Sequence, residues 1–362
     1  MKKKLAVVFM GMVLAASLAG CSNPAERDKE SESTSSAVSE SQETKSGTEI
    51  TRIGTITDIG GINDQSFNQS VWEGLQQVEK DKGVEISYLE SKQISEFTTN
   101  LDKMIDSGAQ LIWGNGYTVA DATLEAAALN PEITFGVIDY AFEDVPDNVF
   151  GVEFRAQESS FLAGYAAART TKTDQVGFVG GQKSDTIDRF EWGYKAGVAY
   201  GAKELGKEIT VDAQYAETFA DAAKGKAIAN KMYSSGCDIV FHAAGGTGLG
   251  VIEAAKEADK FVIGVDRDQA YLAPDNVLTS VLKNANVAVI DISERAVDGE
   301  AVGGQNFDLG LSEGCVGLPE ENPNMDEAVY ADTMKLQQEM TDGTLTAPAN
   351  EEEYQTFVEN LK

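Results

Sequence analysis

The sequence predicts an α/β protein made of two similar lobes, each a doubly wound parallel sheet, with a ligand cleft between them. Three observations predict it. From residue 50 onward, short β-branched runs alternate with amphipathic helical stretches, the order expected of a mostly parallel sheet covered by helices on both faces. The second half of the chain repeats the first at a near-constant offset of 127 to 128 residues. The segments that follow the strands carry carboxylates, aromatics and glycines rather than a catalytic motif.

The 362 residues exceed one typical domain and suit two. They open with Met1-Lys2-Lys3-Lys4, a basic start, followed by a run from Leu5 to Leu18 that is apolar or small almost throughout. The run is short for a membrane span and has the layout of a secretory signal. Its ending, Leu18-Ala19-Gly20-Cys21, resembles a bacterial lipoprotein box. That resemblance implies a signal peptide over 1–20 and a lipid on the Cys21 sulfur, which would hold the chain to the extracytoplasmic face of the cell membrane. Residues 21–49 are rich in Ser, Glu and Lys and poor in large apolar side chains, so they read as a disordered tether.

Beyond the tether, Arg52 to Asp58 reads as a strand. Phe67 to Asp81 reads as a helix, with Phe67, Val71, Leu75 and Val78 on one face. Val84 to Leu89 is a strand, Glu96 to Ser107 a helix, and Leu111-Ile112-Trp113 and Ile133 to Ile138 are strands. The repeat then restates the pattern. Gly108-Ala109-Gln110-Leu111-Ile112-Trp113 matches Gly236-Cys237-Asp238-Ile239-Val240-Phe241. Phe135 to Asp139 matches Val262 to Asp266, and each is followed by Pro-Asp-Asn-Val, at Pro146 and at Pro274. A looser pair sets Phe67 to Gly74 against Phe190 to Gly193. Trp113 reads as core, and Cys237 as a buried free thiol opening an apolar run.

In open α/β sheets, ligands bind beyond the carboxyl ends of the strands. Asp58, Asp139 and Asp266 all stand at strand ends, glycine loops follow Trp113 and Phe241, and Phe97 and Phe219 occupy matched positions. Carboxylates accept hydrogen bonds from hydroxyls, aromatic faces stack on flat rings, and glycines let the backbone approach. The set suits a neutral, hydroxyl-rich ligand with a flat part. The balance of 59 Asp and Glu against 29 Lys and Arg, a net charge of -30, repels phosphate backbones and argues against nucleic acid as a partner. Neither a zinc spacing nor a P-loop occurs, and Gly245-Gly246-Thr247-Gly248-Leu249-Gly250 misses the dinucleotide spacing. No cofactor and no catalysis are expected. His242, the only histidine, reads as a structural residue near the pocket.

The run from Asp58 to Gly74 resembles the signature of the basic membrane protein family, the nucleoside-binding lipoproteins of ABC importers. So do Thr218 to Lys226, Val262 to Asp266 with Asp268-Gln269, and Val277 to Lys283. The resemblance implies a type I periplasmic-binding-protein fold in which the chain crosses between lobes three times. The N-terminal lobe would hold 50–154 and 284–310, and the C-terminal lobe 155–283 and 311–362. It implies capture of a purine nucleoside (adenosine, guanosine or inosine) by lobe closure and delivery to ABC permease subunits, the protein acting as a monomer. Phe67 and Phe219 would sandwich the purine. Asp266 and Lys283 would hold the ribose hydroxyls near the backbone of Gly245 or Gly246, and Asp58 would bond the ligand from the first lobe. Asn63, Asn68, Gly114 and Asp139 are expected in the pocket. A binder of ribose or a related sugar, and a receptor lipoprotein that presents its ligand to a sensor, remain alternatives.

Overall fold

The computed structural model describes residues 49–361; the signal segment, Cys21 and all of the tether but its last residue lie outside them. The chain first builds β1 (Arg52–Ile56), α1 (Phe67–Lys82), β2 (Glu85–Leu89), α2 (Phe97–Asp106), β3 (Leu111–Gly114), α3 (Ala120–Leu129), β4 (Thr134–Ile138) and β5 (Val149–Phe154). It continues through α4 (Ala156–Thr170), β6 (Gln175–Gly180), α5 (Asp185–Leu205), β7 (Thr210–Tyr215), α6 (Ala222–Ser234), β8 (Ile239–Ala243), α7 (Gly248–Ala258), β9 (Phe261–Asp266) and β10 (Val277–Lys283). Then come α8 (Ala285–Val297), β11 (Gln305–Leu309), β12 (Val316–Gly317), α9 (Glu327–Thr341) and α10 (Glu351–Asn360).

The strands form two six-stranded sheets, ordered β11-β5-β4-β3-β1-β2 and β12-β10-β9-β8-β6-β7. The orders are the same once each strand is replaced by its repeat partner, so the internal repeat is a repeat of structure. Every pairing is parallel except that of β12, a short antiparallel edge on β10. Central strands such as Leu111–Gly114 and Ile239–Ala243 are buried along their whole length, as a sheet covered on both faces requires. In the first sheet, Val71, Leu75 and Val78 of α1 pack with Val289 and Ile292 of α8 on one face, and α2 and α3 cover the other. In the second, α4, α5 and α9 cover one face, α6 and α7 the other.

Helix pairs meet closely where glycine removes a side chain. A Cβ on Gly197 of α5 would lie 1.9 Å from the Phe161 carbonyl oxygen of α4, and one on Gly250 of α7 1.7 Å from that of Ala222 on α6. The chain passes between the sheets after β5, β10 and β11. Arg155 ties the first and third passages together: its N–H donates to the Leu309 carbonyl at 2.8 Å, and its guanidinium reaches Glu158, Asp308 and Glu313.

Trp113 is fully buried, its indole N–H donating to Ser293 Oγ at 3.0 Å. Cys237 and Cys315 are buried and unpaired with each other. The expectation for Phe97 needs correcting. Its ring lies in the core beneath α2 with Ile56, Leu101 and Ile112, because it begins a helix, whereas Phe219 stands in a loop before one. No helix among the described residues is long and apolar enough to cross a membrane.

Candidate ligand-binding cleft

The loops at the carboxyl ends of both sheets face one another across a cavity with about 540 Å³ of atom-free space, its mouth included. Of the residues expected there, Asp58, Phe67, Asn68, Asp139, Phe219, Gly245, Gly246, Asp266 and Lys283 line it. Asn63 and Gly114 do not. Asn63 points to solvent at the turn before α1, and its neighbour Asp64 faces inward instead. Gly114 is the last residue of β3, where a Cβ would meet Val119 at 2.6 Å; the wall is made by Gly116, two residues on, at φ 91°.

Lys283, which ends β10, is the centre of the site. It is 3% exposed. Its Nζ lies 2.6 Å from Asp139 Oδ2 and 3.7 Å from Asp266 Oδ1. Burial opposes the ammonium charge, but the two carboxylates outweigh it and hold the pKa above the ordinary lysine value. The same Nζ stands 4.3 Å from the centre of the Phe67 ring, within cation–π range. Asp139 and Asp266 end repeat-related strands and share an unusual backbone, at φ 64° and 66°. Left-handed non-glycine residues are uncommon and gather at functional sites. Both carboxylates are thereby turned from their strands toward the lysine. Asp139 Oδ1 is buried without a hydrogen-bond partner, an unpaired acceptor on the cavity wall.

The loop before α1 uses its polar groups in an unusual way. Ser66 is the N-cap residue, yet its hydroxyl does not cap the helix; it donates to Asp266. Asp64 caps instead, accepting from the backbone N–H groups of Ser66, Asn68 and Gln69 at 2.8–3.1 Å. Burial pushes Asp64 up to about 7 despite those donors. Asn68 donates to Asp58 Oδ1 at 2.7 Å and accepts from Asn115 at 3.0 Å. Asp58 is raised by burial, which the Asn68 and Gly60 donors offset in part. Phe219 packs over Gly181 and Gly245, where a Cβ would approach the ring to 2.0 and 3.8 Å.

A family model described as Bmp, ABC transporter substrate-binding protein PnrA-like, matches residues 50–351. The chain belongs to that family. The Bmp family is one of substrate-binding proteins, not an enzyme class. Among curated Bmp relatives, the chain is 39% identical to the ABC transporter nucleoside-binding protein BmpA of Lactococcus lactis, over 96% of this chain and 99% of that one. It is 41% identical to the CD4+ T-cell-stimulating antigen of Listeria monocytogenes, covering 82% and 87%. It is 38% identical to basic membrane protein A of Borreliella burgdorferi, covering 87% and 93%. Among solved structures, an ABC transporter solute-binding protein from Aeropyrum pernix superimposes with a TM-score of 0.76 at 26% identity, covering 86% of this chain and 97% of that one. One from Conexibacter woesei, at 20% identity, shares the fold with a TM-score of 0.66, covering 82% and 98%.

Sequence reasoning missed Asp64, Tyr117, Thr186, Ile187 and Phe190 on the cavity wall. Phe190 had a signal, since the repeat pairs it with Phe67. Tyr117 and Thr186 had none. Tyr117 arrives from the short turn between β3 and α3 and Thr186 from the first turn of α5, where its Oγ1 donates across to the Asp139 carbonyl at 3.3 Å.

Proposed function

We propose that this protein captures purine nucleosides in the cleft by lobe closure and delivers them to an ABC importer. The observation that carries the reading is the pairing of two aromatic walls, Phe67 from the first lobe and Phe219 from the second, beside the Asp139–Lys283–Asp266 cluster. A flat base fits between two rings; ribose hydroxyls suit carboxylates and an ammonium that can accept and donate at once. Nucleoside binding is also what the name of the Lactococcus lactis relative states for that protein.

The cavity sets four carboxylates, Asp58, Asp64, Asp139 and Asp266, against one cation. A phosphate entering it would meet more repulsion than attraction, so the ligand class is the nucleoside and not the nucleotide. Closure is favoured only by contacts the closed form gains with its ligand. The lipid on Cys21 would keep the protein at the extracytoplasmic face of the membrane, where it works as a monomer with permease subunits as partners.

The test is calorimetric titration of the full-length protein, unfolded and refolded to strip carried-over ligand. Inosine, guanosine or adenosine is expected to bind with a dissociation constant near or below about 1 μM, roughly −8 kcal/mol, and inosine 5′-monophosphate to give no heat. Binding of ribose with no response to any nucleoside would replace this reading with that of a sugar binder.

A further inference from the structure

We propose that Gln269 is a closing latch: a positioning residue, held rigid in the second lobe, whose side-chain amide N–H captures the backbone carbonyl of Gln65 as the lobes meet and so seats Phe67 against the ligand. The proposal rests on the capture reading above and adds to it a residue that touches no ligand. Neither Gln269 nor Gln65 lines the cavity.

The second-lobe end is built for rigidity. Gln269 is fully buried. Its Oε1 accepts from the Val265 N–H at 3.0 Å and from His242 Nε2 at 3.1 Å, and its own backbone N–H donates to Ser280 Oγ at 3.0 Å. Gly264 makes the room: a Cβ there would stand 2.7 Å from both Gln269 Oε1 and Ser280 Oγ. With the oxygen committed, the NH₂ group has one direction left, toward the other lobe, where Nε2 donates to the Gln65 carbonyl at 3.0 Å.

The first-lobe end is the strained part. Gln65 sits at φ 55°, a left-handed conformation that is strained in a non-glycine residue and persists where its surroundings hold it. Two residues later Phe67 begins α1. The second lobe grips Gln65 twice, since Tyr271 OH also donates to Gln65 Oε1 at 2.6 Å. Arg267 adds a more exposed bond to Glu73 of α1 at 3.0 Å. The buried His242, the glycine at 264 and the Asp268-Gln269 pair thus have one joint use.

Gln269→Glu tests this. The carboxylate keeps both acceptor bonds but presents an oxygen to the Gln65 carbonyl. Inosine is expected to leave about ten-fold faster in stopped flow, with association within two-fold of wild type. Tyr271→Phe, at a half-exposed position that folding tolerates, is expected to speed release two- to five-fold. Unchanged release in both variants overturns the proposal. So does a lowered ligand-free melting temperature with normal release from the molecules that still bind, which marks Gln269 as an ordinary core amide. Wild-type binding of inosine judges the capture reading separately. Should wild type bind no nucleoside, spin labels at Lys92→Cys and Lys224→Cys report the closed fraction without any titrant. Equal closed fractions in wild type and Gln269→Glu then reject the latch.

Discussion

Phe67 and Phe219 approach the cavity from opposite lobes, and neither ring is needed to fold the other's lobe. Base–aromatic stacking is worth about 1–3 kcal/mol per ring. Phe67→Ala or Phe219→Ala should therefore weaken nucleoside binding about 5- to 150-fold in a calorimetric titration, with Phe219→Ala leaving the melting temperature nearer wild type because its ring is less buried. His242 makes a different prediction. Burial pulls its pKa from 6.5 down to about 4, so the folded protein stays unprotonated there while the unfolded chain takes up a proton. Stability present above pH 6.5 is lost as pH falls toward 4, on the order of 3 kcal/mol in all. His242→Gln, which can still donate to Gln269, should lose less stability than wild type between pH 7.5 and 4.5 in chemical denaturation; equal slopes would remove His242 from the acid response. Asp58, Asp139 and Asp266 were legible at this scale because they stand at strand ends, the last two in a repeated pattern, whereas Lys283 was legible only through the family's motif. Asn63 was misread for Asp64 because an Asn-Asp pair in a turn does not reveal which side chain faces in.

At the scale of the element, close helix crossings decide how the lobes are built. The Gly197 site on α5 lies against the backbone of α4, and a methyl group has no flexible neighbour to displace, only the Phe161 carbonyl. Overpacking of this kind costs about 1–3 kcal/mol or more. Gly197→Ala should lower the unfolding free energy measured in urea by that amount, whereas Gly206→Ala, at the open C-terminal end of α5, should act only through its φ of 62°. The helices and strands themselves were readable from periodicity, since buried parallel strands are short β-branched runs and α1 shows its apolar face at every third or fourth residue. The edge strand β12 was not. It is two residues long and exists only because β10 offers it an unpaired edge.

The whole molecule carries a net charge of -30. Such self-repulsion opposes the compact state and is screened by salt, so the melting temperature should rise by several degrees between 0.02 and 0.3 M sodium chloride. A flat response would mean that local ion pairs, such as those of Arg155 and Lys283, already neutralise the strain.

By itself the sequence determined the two-lobed α/β class, its internal repeat, the family and about half of the residues that line the cleft. The class, the repeat and the strand-end aspartates follow from local periodicity, which places side chains without reference to the rest of the chain; the family, Phe67, Asn68 and Lys283 follow from motifs that resemble that family's. Only the tertiary structure decided that Lys283 stands between two left-handed aspartates, that Ser66 gives up capping its helix to reach Asp266, and that Gln269 bridges to Gln65. The Lys283–Asp139, Ser66–Asp266 and Gln269–Gln65 contacts join residues 144 to 204 positions apart. Their geometry is fixed by how two separately formed sheets meet, a relation that no local pattern along the chain encodes.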